Sequence, residues 1–355
     1  MFKKKKIFLV FFVLSCFFAL ELSSRLLFHF LSWDIKAYQG QGGRYQPEPF
    51  RSFGLKPGYQ INHFSLKETI NSHGFKSPEF KIKKSDDIYR IVVLGGSSVY
   101  GSYDNEMTWP KLLNDHLNQK INTSFNKSFE VINTGVPGYN TFHSLSLLIN
   151  NIIEYNPDLI ILYQMWNDIS YWPHLNDSTI YKGTLFKSDK NILNNSYLFT
   201  SIRVLTRVFL GNLTNEKFID SYNSNEKKVS IDNGLERYRK NIEIMALICS
   251  NYNIPLIISS QLSLLKENNS KEELRRLTKI NHNFQFYFDA LKKGNDVLVD
   301  ISKRYQKNTF YYNPENNIKT NPDLMRDHIH PTKKGNSLLS TDIGNYIFEN
   351  IITRK

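Results

Sequence analysis

A serine that ends a predicted buried strand and a distant Asp-x-x-His motif are the residues most suited to chemistry. Ser97 follows the apolar run of residues 91–94 and two glycines, a pattern that predicts a strand ending in a tight turn. Asp327 and His330 lie three residues apart, close enough to share one turn. A serine hydroxyl becomes nucleophilic when a neutral imidazole takes its proton and a carboxylate fixes the imidazole tautomer. These residues therefore predict acyl transfer, with Ser97 as the nucleophile, His330 as the base and Asp327 as the carboxylate that orients His330.

Two further residues supply donors for the negative charge that acyl transfer places on the carbonyl oxygen. Gly138 follows the second predicted strand, and a glycine lets the main chain approach a ligand closely. Asn167 follows the third strand, and its amide donates without forming an ion pair. We therefore expect an oxyanion hole made of the Asn167 amide and the main-chain N–H groups of Gly138 and Ser97.

Each motif has a competing explanation. The Gly-Ser pair and Gly138 are compatible with ordinary turns, and the Asp-x-x-His motif and Asn167 are compatible with helix caps. His328 competes with His330 for the role of base, but a turn geometry directs its side chain elsewhere. The argument for a site is that these motifs all follow predicted strands.

Alternating strands and helices are predicted to position these residues. The predicted strands are short and rich in β-branched residues, at positions 89–94, 129–133, 158–163, 255–260 and 296–301. The predicted helices cover positions 108–117, 142–154, 235–249, 271–291 and 333–351. Such alternation implies parallel strands joined by right-handed crossovers, and hence a three-layer α/β/α sandwich. The carboxyl ends of parallel strands share one edge, so the candidate residues are predicted to converge there.

Four sequence blocks resemble the SGNH (GDSL-type) hydrolase superfamily, whose blocks supply Ser, Gly, Asn and His in that chain order. The matching residues, between about 88 and 345, are Ser97, Gly138, Asn167 and His330, with Asp327 completing a triad. The resemblance implies a five-stranded parallel, flavodoxin-like sheet and a Ser-His-Asp ester hydrolase that needs no metal or cofactor. Alignment of the first block also favours Ser97 over the neighbouring Ser98 as nucleophile.

The chain departs from the family pattern at two positions. Gly96 stands where the first block usually has aspartate, which removes a side chain that helps to brace the nucleophile turn. Met165 stands where the third block usually has glycine, and we expect its bulk beside Asn167 to narrow the acyl pocket. Neither departure removes a catalytic group.

The N-terminal segment predicts a membrane anchor. Four lysines at positions 3–6 precede an apolar run over 7–20 that extends to about residue 27, with Glu21 and Arg25 near its far end. A membrane-spanning helix needs about 20 mostly apolar residues, and lysines favour the cytoplasmic side. A cleaved signal peptide is the alternative, although no small-x-small cleavage site is evident. Both interpretations place the remaining chain outside the cytoplasm. The Glu21 to Arg25 region and the segment over residues 71–79 also resemble membrane-anchored bacterial members of the superfamily, which carry N-x-x-G-F-R-x-P-E before the first strand.

The 355-residue chain is predicted to have three parts. They are an anchor over residues 1–30, a juxtamembrane extension over 31–85 that packs on the main domain, and a hydrolase domain over 86–355. The hydrolase domain contains an insertion at 169–231 with an apolar helix candidate at 197–210. This insertion is predicted to be either a lid over the site or an additional packing helix.

The composition of the chain limits the classes of binding partner that we expect. Lys and Arg exceed Asp and Glu by 45 − 33 = 12, but four of the lysines belong to the anchor and no basic helix is evident. We therefore predict no nucleic-acid partner. Two cysteines, Cys16 and Cys249, predict neither a disulfide framework nor a cysteine metal site.

The location predicted for the domain makes O-acylated envelope glycans or lipid acyl esters the expected substrates. Two other functions use the same residues. One is an O-acyltransferase that passes the acyl group to a sugar hydroxyl, and the other is a catalytically degenerate member that only binds glycan.

Overall fold

A computed structural model describes residues 2–31, 44–63, 66–102, 104–120, 127–172, 196–202, 206, 231–277, 280 and 284–353. The chain divides into two compact units. The first comprises Met1–Gln46, Gln60–Lys67 and Tyr181–Lys228, and the second comprises Pro47–Tyr59, Glu68–Ile180 and Val229–Lys355.

The elements follow in chain order. The strands are β1 (Tyr45–Glu48), β2 (Ser52–Leu55), β3 (Gln60–His63), β4 (Leu66–Thr69), β5 (Ile88–Gly95), β6 (Ser128–Asn133), β7 (Leu159–Tyr163), β8 (Leu256–Ser259) and β9 (Thr309–Tyr312). The helices are α1 (Phe2–Phe30), α2 (Ser97–Tyr100), α3 (Trp109–Lys120), α4 (Thr141–Leu147), α5 (Trp166–Tyr171), α6 (Ile231–Asn251), α7 (Lys271–Arg276), α8 (Phe284–Arg304) and α9 (Lys333–Ile347).

The second unit is built around a five-stranded parallel sheet. Its strand order is β6-β5-β7-β8-β9, which is the flavodoxin-like order 2-1-3-4-5 within this sheet. Helices α3 and α9 contact each other, whereas α6 contacts both α4 and α8. A sheet with helices on both faces buries its strands completely, and the centre of β5 and all of β7 and β8 are buried. The predicted three-layer α/β fold is confirmed.

The strand register brings the carboxyl ends of the central strands to one level. Gly95 pairs with Tyr163, and Tyr163 pairs with Ser259. Ser97 lies two residues beyond Gly95, and Asn167 lies four residues beyond Tyr163. The sheet edge therefore positions both residues.

The fifth predicted strand is wrong. Residues 296–301 belong to α8, and the fifth strand of the sheet is β9. In α8 the buried residues recur at helical spacing: Ala290, Gly294, Val297, Leu298 and Ile301. A six-residue apolar window does not distinguish a buried strand from a buried helix face, which explains the error. The helix predicted over 271–291 is likewise replaced by α7 and the first part of α8.

The other predicted elements lie close to their observed positions. The first four predicted strands differ from β5, β6, β7 and β8 by no more than one residue at either end. The helix predicted over 142–154 begins as α4 and continues as a π-helical turn over Leu148–Ile152.

Helix α1 is the one helix, among the residues that the structure describes, long and apolar enough to cross a membrane. The qualifying stretch is Lys5–Phe30, and none of its most apolar 18-residue window is buried. A signal sequence near the N-terminus also satisfies these length and hydropathy criteria. The predicted apolar N-terminal helix is therefore present as a membrane-span candidate.

Most of the insertion predicted over 169–231 lies outside the described residues. Of its helix candidate at 197–210, residues 197–202 and 206 are described, and they are helical. The proposed lid over the site falls on positions outside the described residues.

The segment over residues 71–79 forms a compact turn that buries a lysine. The Asn71 side chain accepts the N–H groups of His73 and Phe75 at 3.0 and 2.9 Å. Lys76, fully buried, lies with its Nζ 3.4 Å from a Glu68 carboxylate oxygen. The same Nζ lies 3.4 Å from the Gly101 carbonyl oxygen. The segment thus packs a cation beneath the turn that follows α2.

We expect Lys76→Met to lower the free energy of unfolding by about 3–5 kcal/mol, because it would leave the buried Glu68 carboxylate without its cation. Urea unfolding followed by circular dichroism measures this change. Lys81→Met, at an exposed lysine, is the matched control and should change the free energy of unfolding by less than about 0.5 kcal/mol. Equal effects of the two substitutions would contradict the role of the buried pair.

Candidate active site

Ser97 begins a one-turn helix directly beyond β5. The turn is formed by Gly96 and ends at Gly101, whose N–H donates to the Ser97 carbonyl oxygen at 2.9 Å. Ser97 is partly exposed, whereas Ser98 is buried. The Ser98 hydroxyl accepts a hydrogen bond from the Gln261 amide at 2.8 Å. The hydroxyl that faces the site is therefore that of Ser97.

The structure brings Ser97, His330 and Asp327 into one hydrogen-bonded line. Ser97 Oγ lies 2.8 Å from His330 Nε2. On the other side of the ring, His330 Nδ1 lies 2.9 and 2.8 Å from the two Asp327 carboxylate oxygens. A hydroxyl, an imidazole and a carboxylate at these distances can relay a proton from the serine.

Asp327 is held as a carboxylate. Its Oδ1 accepts the main-chain N–H groups of Ile329 and His330, both at 3.0 Å. Burial on its own raises the pKa of the Asp327 carboxyl, but hydrogen bonds from the His330 ring and the Ile329 N–H lower the pKa well below its usual value. The group therefore stays ionised at neutral pH and fixes the His330 tautomer.

His328 occupies a different environment. Its ring packs against Trp166 at a centroid distance of 4.5 Å and is largely buried. Its Nδ1 is 3.8 Å from Asp327 Oδ1, beyond hydrogen-bond distance. The geometry therefore favours His330 over His328 as the partner of the serine.

Asn167 and Gly138 meet beside the Ser97 turn. Asn167 lies in the first turn of α5, and its Nδ2 donates to the Tyr139 carbonyl oxygen at 2.7 Å. Gly138 has φ +91°, a left-handed backbone conformation that favours glycine. A Cβ on Gly96 would lie only 2.6 Å from Asn167 Nδ2, so this amide also borders the turn that carries Ser97.

The two departures from the family pattern have structural explanations. The space that a side chain at position 96 would fill is occupied by the Asn167 amide. Met165 is fully buried, and its sulfur lies so close to Gly294 of α8 that a Cβ there would be 2.6 Å away. A side chain without exposed surface does not line an open pocket, so the predicted narrowing by Met165 is not observed.

Gln261 is a site residue that the sequence analysis missed. It is buried immediately beyond β8, and its Oε1 accepts the Trp166 N–H at 2.8 Å. Its Nε2 donates to Ser98 Oγ at 2.8 Å and to the Tyr163 carbonyl oxygen at 3.3 Å. One side chain thus joins the turn that carries Ser97 to the turn that carries Asn167. Its position just after a predicted strand was the available signal.

Asp168 supports the same region through hydrogen bonds to Thr141. Burial raises the pKa of its carboxyl to about 7, against the opposing effect of hydrogen bonds from the Thr141 hydroxyl and N–H. Both Asp168 oxygens lie 3.1 Å from the Thr141 nitrogen at the start of α4. The residue next to Asn167 therefore holds the helix that follows the Gly138 loop.

Within the described part of the chain, no group of three or more His, Cys, Asp and Glu side chains is placed to hold a metal ion.

Comparison with known proteins gives a family match and several structural neighbours. The family model described as GDSL-like Lipase/Acylhydrolase matches residues 91–343. A GDSL-like lipase from Bacteroides thetaiotaomicron shares 16% identity over 74% of this chain and 89% of its own, with a TM-score of 0.40. A lipase/acylhydrolase from Enterococcus faecalis shares 14% identity over 73% and 94%, with a TM-score of 0.42. A catalytic mutant of an acetylxylan esterase from Geobacillus stearothermophilus shares 12% identity over 73% and 94%, also with a TM-score of 0.42. No curated protein matches the sequence.

Proposed function

Because this chain belongs to the GDSL-like lipase/acylhydrolase family and is therefore an ester-bond hydrolase, we propose that it cleaves its substrate through an acyl-enzyme on Ser97. The observation that supports this proposal is the 2.8 Å approach of Ser97 Oγ to His330 Nε2, with Asp327 on the opposite ring nitrogen. In this assignment Ser97 is the nucleophile, His330 exchanges protons with it, and Asp327 orients the His330 ring.

In the first half of the proposed reaction, Ser97 Oγ attacks the ester carbonyl carbon while its proton passes to His330 Nε2. The carbonyl oxygen becomes an oxyanion, and the carbon–oxygen bond to the alcohol then breaks. His330 gives its proton to the departing alkoxide oxygen. The products of this half are a free alcohol and an ester on Ser97.

In the second half, water attacks the acyl-enzyme and passes a proton to His330. The bond between the acyl carbon and Ser97 Oγ breaks, and His330 returns the proton to the serine. A carboxylic acid leaves, and the resting site is restored. Asp327 stays ionised throughout and stabilises the imidazolium that forms twice in the cycle.

We assign the oxyanion to a site between the Ser97 turn, the Gly138 loop and the Asn167 amide. One Asn167 Nδ2 hydrogen is used by the Tyr139 carbonyl oxygen, at 2.7 Å, which leaves the second hydrogen for the oxyanion. The N–H groups of Ser97 and Gly138 are the main-chain donors in this assignment. Preorganised donors of this kind act only where charge develops in the transition state.

We further propose that α1 is an uncleaved anchor and that the hydrolase acts outside the cytoplasm. The lysines at 3–6 and the apolar length of α1 support this orientation. This location supports O-acylated envelope glycans or lipid acyl esters as the substrate class.

A fluorophosphonate probe tests the nucleophile directly. We expect the full chain in detergent to be labelled, and mass spectrometry of the digested protein to place the adduct on Ser97. Ser98→Ala is the matched control, because its hydroxyl is adjacent but hydrogen-bonded to Gln261. An adduct on Ser98, or labelling that survives in Ser97→Ala, would refute the assignment. A panel of p-nitrophenyl esters then defines the acyl length.

The Asn167 assignment predicts coupling with Gly96. Asn167→Ala should lower kcat by about 100- to 1,000-fold through loss of one oxyanion donor. Gly96→Ala should lower kcat by about 100-fold, since its Cβ would displace the same amide from 2.6 Å. In the Asn167→Ala background, Gly96→Ala should cause little further loss. Fully multiplicative losses in this double-mutant cycle would contradict the assignment.

A further inference from the structure

A charged pair at the far end of α1 holds a second helical segment. Glu21 accepts a hydrogen bond from Arg25 Nε at 3.0 Å. The Glu21 carboxylate also accepts the Ser196 hydroxyl at 2.7 Å and the N–H groups of Tyr197 and Leu198 at 3.1 and 3.0 Å. It therefore caps the first turn of the helical residues 197–202.

Aromatic contacts strengthen the same junction. The Arg25 guanidinium lies 5.0 Å from the centre of the Tyr197 ring. The Phe28 ring meets the Tyr197 ring edge-on at 5.3 Å, and Phe28 is almost completely buried. Residues 196–202 are thus attached to α1 by hydrogen-bonding, cation–π and aromatic contacts within the first unit.

The position of Glu21 along α1 places this junction within a bilayer. Residues 7–21 span about 21 Å at 1.5 Å per residue, whereas the hydrocarbon core of a bilayer is about 30 Å thick. With the lysines at 3–6 at one interface, Glu21 lies below the opposite interface. An unpaired carboxylate at such a depth is expensive, and here four donors surround it. The donors on residues 196–198 must lie at the same depth.

The outward face of the attached segment is apolar. Phe199 is 37% exposed and Ile202 is 47% exposed, and their spacing of three residues puts both on one helix face. On α1, Leu22 and Leu26, which directly follow Glu21 and Arg25 in the sequence, are also exposed. The segment that Glu21 caps therefore exposes apolar side chains, as the neighbouring part of the anchor does.

From the attachment to Glu21 and this apolar face we propose that residues 196–202 are a second membrane-contacting element, embedded in the bilayer leaflet at the level of Glu21 with Phe199 and Ile202 against lipid. This inference rests on the proposed anchoring by α1. It adds that part of the insertion is bound to the membrane through the Glu21 carboxylate.

Depth-dependent fluorescence quenching tests this proposal in the full chain. The protein, in a Cys16→Ser background, is reconstituted into phosphatidylcholine–phosphatidylglycerol vesicles with an environment-sensitive dye on Phe199→Cys or Ile202→Cys. Lipids carrying a nitroxide on the acyl chain are the quenchers. Leu14→Cys, in the middle of α1, reports on the anchor. Leu247→Cys is the matched control, because Leu247 is an apolar residue of α6 with 52% exposure.

We expect several-fold stronger quenching at positions 199 and 202 than at 247. Glu21→Ala should abolish this excess while leaving quenching at position 14 unchanged. Strong quenching at 14 combined with quenching at 199 and 202 no stronger than at 247 would overturn this inference alone. Absence of quenching at 14 would overturn the anchoring itself, and this inference with it.

Discussion

Replacement of Ser97 by alanine is expected to lower kcat for p-nitrophenyl acetate by about 10⁴- to 10⁶-fold. The hydroxyl that lies 2.8 Å from His330 Nε2 would be absent, so no acyl-enzyme could form. Activity above the uncatalysed rate would remain, because the oxyanion donors still bind the transition state when water attacks directly.

The size of the loss distinguishes a nucleophile from a binding residue. The partly exposed Ser97 side chain loses a single oxygen atom, so the free energy of unfolding should change by less than about 0.5 kcal/mol. Thermal unfolding of the variant provides that check. Ser98→Ala should retain kcat within about tenfold, since its buried hydroxyl accepts a hydrogen bond from Gln261, whereas the imidazole is hydrogen-bonded to Ser97. A Ser97→Ala enzyme with kcat within tenfold of the wild type would refute the mechanism.

Replacement of Asp327 by asparagine is expected to lower kcat by about 10⁴-fold, the cost of holding the His330 imidazole in the wrong tautomer if it serves as the proposed base. The asparagine amide would donate where the carboxylate accepts, so His330 Nδ1 would lose the proton that faces Asp327 at 2.8 Å. Its Nε2 would then carry the proton and could not accept one from Ser97. Substrate binding does not depend on this tautomer, so KM should change little.

Asp323→Asn is the control for that substitution. Asp323 is an exposed carboxylate in the same loop, and removing its charge should alter kcat by less than about twofold. Steady-state kinetics on both variants at one pH give the comparison. Similar losses in the two variants would mean that loop charge, rather than the Asp327–His330 contact, supports catalysis.

The positions of Ser97 and His330 were predictable because their determinants are local. The apolar run of β5 predicts a strand, and the glycines that follow predict a tight turn. Asp327 and His330 belong to one short motif. The topology then brings together residues that are 233 positions apart. Only the parallel alternation of strands and helices was needed to expect this convergence.

Features that depend on tertiary contacts were not predictable. The window over residues 296–301 has a strand-like composition, and only its packing with Gly294 and Ala290 shows a helix face. From the sequence, Gly96 indicates the loss of an aspartate side chain that supports the turn. In the structure, the Asn167 amide occupies the space that a side chain at position 96 would need. The function of Gln261 depends on partners 95 and 163 residues away, which no local pattern encodes.

The Gln261 side chain also constrains how relatives of this enzyme can diverge. Its amide satisfies Ser98 on one side and the Trp166 N–H on the other, in a place that water does not reach. Replacing Ser98 or Gln261 alone would leave a buried polar group without its hydrogen-bond partner, which would lower the free energy of unfolding by about 1–3 kcal/mol. Among relatives, positions 98 and 261 should therefore change together rather than one at a time.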